Sequence, residues 1–226
     1  MKNKEEMTNT IKFAAIFDMD GVIVDNHYYH VHSWTEFCRR HSIKTTDEEI
    51  TANFGGTNMH FMRHFFGDTK SEEELAQMGE EKEVIYREIY SPHIKPLPGL
   101  EMFLKDLKNY HVPVALATSG PPENVEFVLS KTALKQYFDV LLDASHVIHG
   151  KPDPEIYLKA ADKIGIEPAR CIVFEDSVLG IESANKAGMK VTGIATTHPE
   201  HELTNTVSNE QDFKKLTYSR IASYFK

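Results

Sequence analysis

Two aspartates one residue apart, Asp18 and Asp20 in the run F-D-M-D-G-V, have types and spacing that can do chemistry. Side chains two apart on an extended backbone share one side, and Gly21 lets the chain turn away behind them. One such aspartate can act as a nucleophile, while the other protonates a leaving oxygen and later deprotonates water. The bland alternative is a solvated turn, because D-x-D-G is also an ordinary loop sequence. Thr118 lies in A-T-S-G, ahead of Pro121-Pro122 and a helical pattern. Its hydroxyl, with backbone amides at a helix start, makes an anion cradle that the helix dipole assists. Taken alone it reads as an N-cap. Lys151, in H-G-K-P-D-P-E-I-Y, stands before two prolines that fix the loop, Pro154 being suited to opening a helix. There it could neutralise a phosphoryl group and hold Asp18 ionised, although by itself it reads as surface charge. Glu175 and Asp176 close the run C-I-V-F-E-D. Adjacent acids ending a buried strand repel unless a cation lies between them. Hard oxygen ligands beside a phosphate point to magnesium.

These groups matter only if the fold gathers them. The apolar runs 11–17, 113–117 and 171–174 end directly before Asp18, Thr118 and Glu175, and 140–142 and 191–195 are weaker runs of the same kind. Near-continuous apolarity over such lengths suits strands covered on both faces. Amphipathic helical stretches at 99–110, 123–129, 154–164 and 177–187 fall between them. The alternation predicts an α/β fold, a Rossmann-like parallel sheet wound on both faces. Ligands bind such sheets outside the carboxyl ends of the strands, where all these polar residues stand. Residues 26–95 break the rhythm, with helical patterns at 27–40, 57–66 and 71–90 and no convincing buried strand. Ser71, followed by three glutamates, reads as an N-cap with first-turn acids. The Pro-rich S-P-H-I-K-P-L-P-G then returns to the sheet. The expected organisation is a core of 1–25 and 96–226 with a helical cap of 26–95.

Composition narrows the partners. The chain has 226 residues, 41% hydrophobic and 26% charged, with a formal net charge of -9 and both signs mixed along its length. Nothing supplies the basic face that a nucleic acid or an anionic membrane requires. Cys38 and Cys171, the only cysteines, fall in helical and strand patterns and read as buried and inert. Two unpaired cysteines suit a reducing compartment. With no apolar leader and no run of about 20 apolar residues, the expected location is cytoplasmic.

The four motifs F-D-M-D-G-V, A-T-S-G, G-K-P-D-P-E-I-Y and V-F-E-D-S-V-L-G-I-E-S-A-N-K-A-G-M, in this order, resemble the haloacid dehalogenase superfamily. The closest subgroup is that of the β-phosphoglucomutase-like phosphatases, over about residues 13–193. The resemblance implies a phosphoryl group carried on Asp18, with Asp20 as general acid/base. Thr118 and Lys151, within a phosphate-binding set that includes Ser119 and Gly120, would hold the transferring group. Magnesium would be held by the Asp18 carboxylate, the Asp20 carbonyl and Asp176, with Glu175 close by or coordinating. Relatives that cleave carbon–halogen or carbon–phosphorus bonds lack an acid at the position of Asp20, so its presence favours phosphoryl transfer.

In this family the cap selects the substrate. Its loop would be N-F-G-G-T-N-M-H, residues 53–60, with Gly55, Thr57 and Asn58 facing substrate. The sugar-phosphate mutases carry a lysine and an arginine where this chain has Phe54 and Asn58. Hydrolysis of a small, sugar-like phosphate therefore ranks ahead of a β-phosphoglucomutase-type reaction, and both ahead of a sensor that binds without turnover. His30 and Lys82 match a histidine thought to couple cap closure to Asp20 and a cap lysine. The bland reading of both is a solvated helix face. His27, His30 and His32, with His60 and His64, invite a zinc hypothesis, but no converging set is visible and solvated faces are the better reading. Trp34 reads as cap packing. The physiological substrate and the oligomeric state are not legible.

Overall fold

The computed structural model describes residues 13–52 and 58–226. The apolar runs form β1 (Ala14–Phe17), β2 (Val114–Ala117), β3 (Val140–Leu142), β4 (Cys171–Glu175) and β5 (Lys190–Ile194), and β6 (Ser208–Glu210) completes the sheet. All five pairings are parallel, in the order β3-β2-β1-β4-β5-β6. The period of two explains the burial of β1 on both faces. Ala15 and Phe17 enter one apolar cluster, and Ala14 and Ile16 enter another on the opposite face. Helices α5 (Leu100–Asn109), α6 (Pro122–Thr132) and α9 (Tyr218–Ser223) cover the first face. Helices α7 (Glu155–Ile164) and α8 (Val178–Lys186) cover the second.

Between β1 and α5 lie four helices: α1 (His27–Arg40), α2 (Asp47–Ala52), α3 (Asn58–Phe66) and α4 (Glu72–Tyr90). They share a separate core in which Trp34 stacks on Phe61 at 4.5 Å, beside Phe37, Met62, Leu75 and Ile85. Ser71 and Glu74 close a reciprocal capping box at the start of α4. The outgoing and returning chains run side by side, Val24 bridging Pro96, and the Leu97 amide donates to the Ile23 carbonyl at 2.9 Å. No described helix is long and apolar enough to cross a membrane.

Three elements lie outside the sequence expectation. β6 is S-N-E, an edge strand with no apolar residue, held by its pairing with β5. α2 and α9 are six residues each, too short for a periodic pattern to register.

Candidate active site

Register, more than any local motif, builds the site. Phe17 lies opposite Phe174, so the next residues, Asp18 and Glu175, leave the sheet side by side at its centre. The strand order reverses direction at β1, which opens a crevice at these carboxyl ends. Lys151, arriving from the loop before α7, spans the two acids, its Nζ donating to Asp18 Oδ1 at 2.7 Å and Glu175 Oε1 at 2.5 Å. Glu175 is fully buried and its oxygens are taken up by protein donors. Oε1 also accepts from the Tyr157 hydroxyl at 2.8 Å. Oε2 accepts from the Asp176 and Ser177 amides and the Ser177 hydroxyl, each at 3.0 Å. This saturation makes Glu175 an anchor for Lys151 and leaves it little capacity for a metal.

Lys151 is one cation among three acids. Asp18, Glu175 and Asp176 each offer an oxygen within 4.8 Å of the others. Burial, opposed by Lys151 and reinforced by Glu175 and Asp20, pushes the Asp18 carboxyl up to about 7. Asp176 is raised well above the usual carboxylate range by burial, then by Glu175 and Asp18. Burial also raises Glu175, but Lys151 and its hydrogen bonds outweigh this and hold it low. The expectation that Lys151 holds Asp18 ionised therefore needs a supplement, because Glu175 shares that ammonium. A divalent cation between Asp18 and Asp176 would remove the repulsion, and two hard carboxylates suit magnesium. Gly21 makes room there with φ +72°, since a Cβ would fall 1.9 Å from Asp176 Oδ2.

The Asp20 carboxylate divides its two oxygens between roles. Oδ1 accepts from Asn26 Nδ2 at 2.6 Å and lies 3.8 Å from His30 Nε2. A Cβ on Gly120 would stand 3.4 Å from Thr118 Oγ1 and 3.7 Å from Asp20 Oδ2, so that oxygen faces the A-T-S-G turn. Thr118 is buried and its hydroxyl accepts the Gly120 amide at 3.0 Å, while Ser119 is exposed. Burial pushes Asp20 up, but His30 and Asn26 outweigh it and hold its carboxyl low.

The family profile described as haloacid dehalogenase-like hydrolase matches residues 15–194. The chain belongs to that family. It is 30% identical over 194 residues to the β-phosphoglucomutase of Bacillus subtilis, covering 82% of this chain and 84% of that one. It is 29% identical over 183 residues to the fructose-1-phosphate phosphatase YqaB of Escherichia coli, covering 80% and 95%. A haloacid dehalogenase hydrolase of family IA, variant 3, from Entamoeba histolytica superposes with a TM-score of 0.88 at 30% identity, covering 94% of this chain and 99% of that one. The chain is a haloacid dehalogenase-like enzyme of the β-phosphoglucomutase-like subgroup.

On the side of the helices α1–α4 of this hydrolase, His30 and Lys82 are buried, against the solvated reading. Lys82 Nζ donates to His30 Nδ1 at 3.0 Å, which leaves the ring proton on Nε2, facing Asp20. The ring stacks on Tyr86 with centroids 3.9 Å apart. Asn58 opens α3 and donates to Glu83 at 2.8 Å. Phe54, Gly55 and Thr57 lie outside the described residues. His32, His60 and His64 are exposed, and among the described residues the acidic trio is the only metal-capable cluster. Four partners escaped sequence reasoning: Asn26, Tyr157, Glu83 and Asn124. Tyr157 had a signal, closing the motif that carries Lys151. Glu83 had none, since E-K-E in a helix reads as surface.

Proposed function

We propose that this chain hydrolyses a small, sugar-like phosphate monoester through an aspartyl phosphate on Asp18, with magnesium. The observation that carries this is the paired placement of Asp18, held at Oδ1 by Lys151, and Asp20, whose Oδ2 faces Thr118 and Gly120. Asp18 Oδ2 attacks phosphorus while Asp20, which must first take up a proton in the reacting complex, delivers it to the departing sugar oxygen. Asp20 then takes a proton from water as water attacks the aspartyl phosphate, which regenerates the Asp18 carboxylate. Lys151, the Thr118 hydroxyl and the turn through Ser119 and Gly120 neutralise and position the transferring group. The carboxylates of Asp18 and Asp176 and the Asp20 carbonyl would hold magnesium, which would supply charge neutralisation for the phosphoryl oxygens. Residues 26–95 act as the cap that shields the reaction from solvent. Two unpaired, buried cysteines, with burial pushing their thiols up to about 11 and about 12, suit a reducing, cytoplasmic setting.

The likeness to a β-phosphoglucomutase supports a second reading, transfer to a sugar hydroxyl. A mutase must grip a distal phosphate in the cap. Here Lys82 is bound by Glu83 at 2.9 Å, and Arg63 turns to the exposed Glu72 at 2.5 Å. The deciding experiment supplies β-glucose 1-phosphate with a trace of glucose 1,6-bisphosphate and follows products by phosphorus NMR, beside a p-nitrophenyl phosphate assay. Inorganic phosphate is expected, lost in EDTA, with Asp176→Ala raising the magnesium needed for half activity. Glucose 6-phosphate appearing ahead of free phosphate favours the mutase, and no turnover of either substrate removes the proposed hydrolysis of a sugar-like phosphate.

A further inference from the structure

Glu83 is a buried carboxylate that the chemistry above does not use. It lies on α4 and is 5% exposed. Its Oε1 accepts from Lys82 Nζ at 2.9 Å and from Asn58 Nδ2 at 2.8 Å. Its Oε2 accepts from Asn124 Nδ2 at 2.8 Å, and Asn124 Oδ1 in turn accepts from Arg87 at 2.7 Å. Asn124 belongs to α6, so the carboxylate joins cap to core. Asn58 directly follows the segment 53–57, N-F-G-G-T, which has no charged residue. Through Lys82 and His30, Glu83 is also three contacts from Asp20.

Lys82 is the only buried lysine or arginine among the described residues of 26–95. Its ammonium lies 5.1 Å from the Trp34 ring and 5.7 Å from Tyr86. Besides Lys82, the half-buried Arg87 donates to Asn124 at 2.7 Å, and the remaining cations of these helices lie at the surface. Arg39 and Arg40 pair with Glu36, Arg63 with Glu72 and Lys70 with Glu74, all at the surface. A carboxylate in contact with Lys82 leaves that buried pair with no net charge.

We propose that Glu83 is a specificity residue that neutralises Lys82 and thereby selects substrates whose non-reacting part is uncharged, against those carrying a second phosphate. This rests on the phosphatase reading. A neutral polyol can exchange hydrogen bonds with Asn58 and its neighbours at little cost. A second phosphate drawn toward Lys82 or Asn58 would meet the Glu83 carboxylate that both already contact, and discrimination by such repulsion is an efficient route to selectivity.

The test uses inhibition of p-nitrophenyl phosphate hydrolysis by glucose 6-phosphate and by glucose 1,6-bisphosphate, which needs neither to be turned over. Glu83→Gln keeps shape and removes the negative charge. It should shift the ratio of inhibition constants toward the bisphosphate by about tenfold, and the gain should fade with added salt. Lys82→Met leaves the carboxylate unopposed and should shift the ratio the other way. The double variant should return toward wild type, and it keeps the question answerable if one single variant folds poorly. Opposite signs are what a purely structural role would not produce. A ratio unchanged in Glu83→Gln, or moved in one direction by both single variants, overturns the inference while leaving the phosphatase standing. A wild-type protein inert toward p-nitrophenyl phosphate removes that reading, and the inference with it.

Discussion

The strand-end site and the interior of the helices α1–α4 solve the same problem, buried charge, in opposite ways. At the strand ends three carboxylates share one lysine, and two of them are pushed up in consequence. On α4 a single buried carboxylate, Glu83, meets a single buried lysine, Lys82, and is held low. The first arrangement is unbalanced by design of the backbone, since β1 and β4 deliver their acids in register whatever the electrostatics. Such a site is poised to take up a cation and an anionic substrate. The second is complete without any ligand, which suits a device that excludes charge. An excess of charge marks where chemistry is to be done, and a balanced pair marks where a surface has been set.

Breaking the unbalanced side should have the largest effect. Asp18→Asn keeps shape and removes the nucleophile, so phosphate release should fall by about a thousandfold or more with an unchanged circular dichroism spectrum. Activity within tenfold of wild type would sink the assignment of Asp18. The next test concerns the backbone that aims this site. Gly180 lies in α8, where alanine should by helix propensity stabilise by about 1 kcal/mol. A Cβ there would fall 1.7 Å from Glu175 Oε1. Glu175 cannot yield without releasing Lys151, Tyr157 and the Ser177 donors. Gly180→Ala should therefore destabilise by about 2–4 kcal/mol and lower activity together with it. Thermal melts with matched rates decide it, and a stabilised, fully active variant would show that Glu175 is not the rigid anchor described here.

The same contrast explains what could be read from the sequence. Asp18, Thr118, Lys151 and Glu175-Asp176 each follow an apolar run or stand at a proline-fixed loop, so the pattern that locates the strand locates the residue. α1 and the strand β3 fell where periodicity put them. The polar strand β6 did not, because its place depends on β5 pairing with its backbone rather than on its own side chains. Glu83 and Asn124 meet across 41 positions of chain through side chains alone. Neither neighbouring sequence nor helical period distinguishes such a glutamate from the exposed ones on the same helix. The burial of Lys82 was missed for the same reason.

Acid should separate the two regions most finely. The Glu83 carboxyl is pushed up by burial, but Lys82, His30, Asn124 and Asn58 outweigh this and bring it down to about 2. An unfolded glutamate titrates near 4.3. A depressed value means that the folded protein binds this proton less readily than the unfolded chain. The stability it contributes is full above about pH 4.3 and is lost as pH falls through about 2. Full ionisation is worth about 3 kcal/mol, and about half of that should be gone by pH 3. Glutamine cannot titrate, so Glu83→Gln should lack this slope. Urea midpoints for both proteins at pH 6, 4 and 3 measure it. The wild-type advantage should be largest at pH 6 and narrow toward pH 3. Asp18, raised by burial, carries the opposite sign and loses stability as pH rises toward about 7, so the metal-free core and the cap should respond to acid in opposite directions. A wild-type advantage that stays constant down to pH 3 would mean that Glu83 is held by shape rather than by charge, and the balanced half of the comparison would fall.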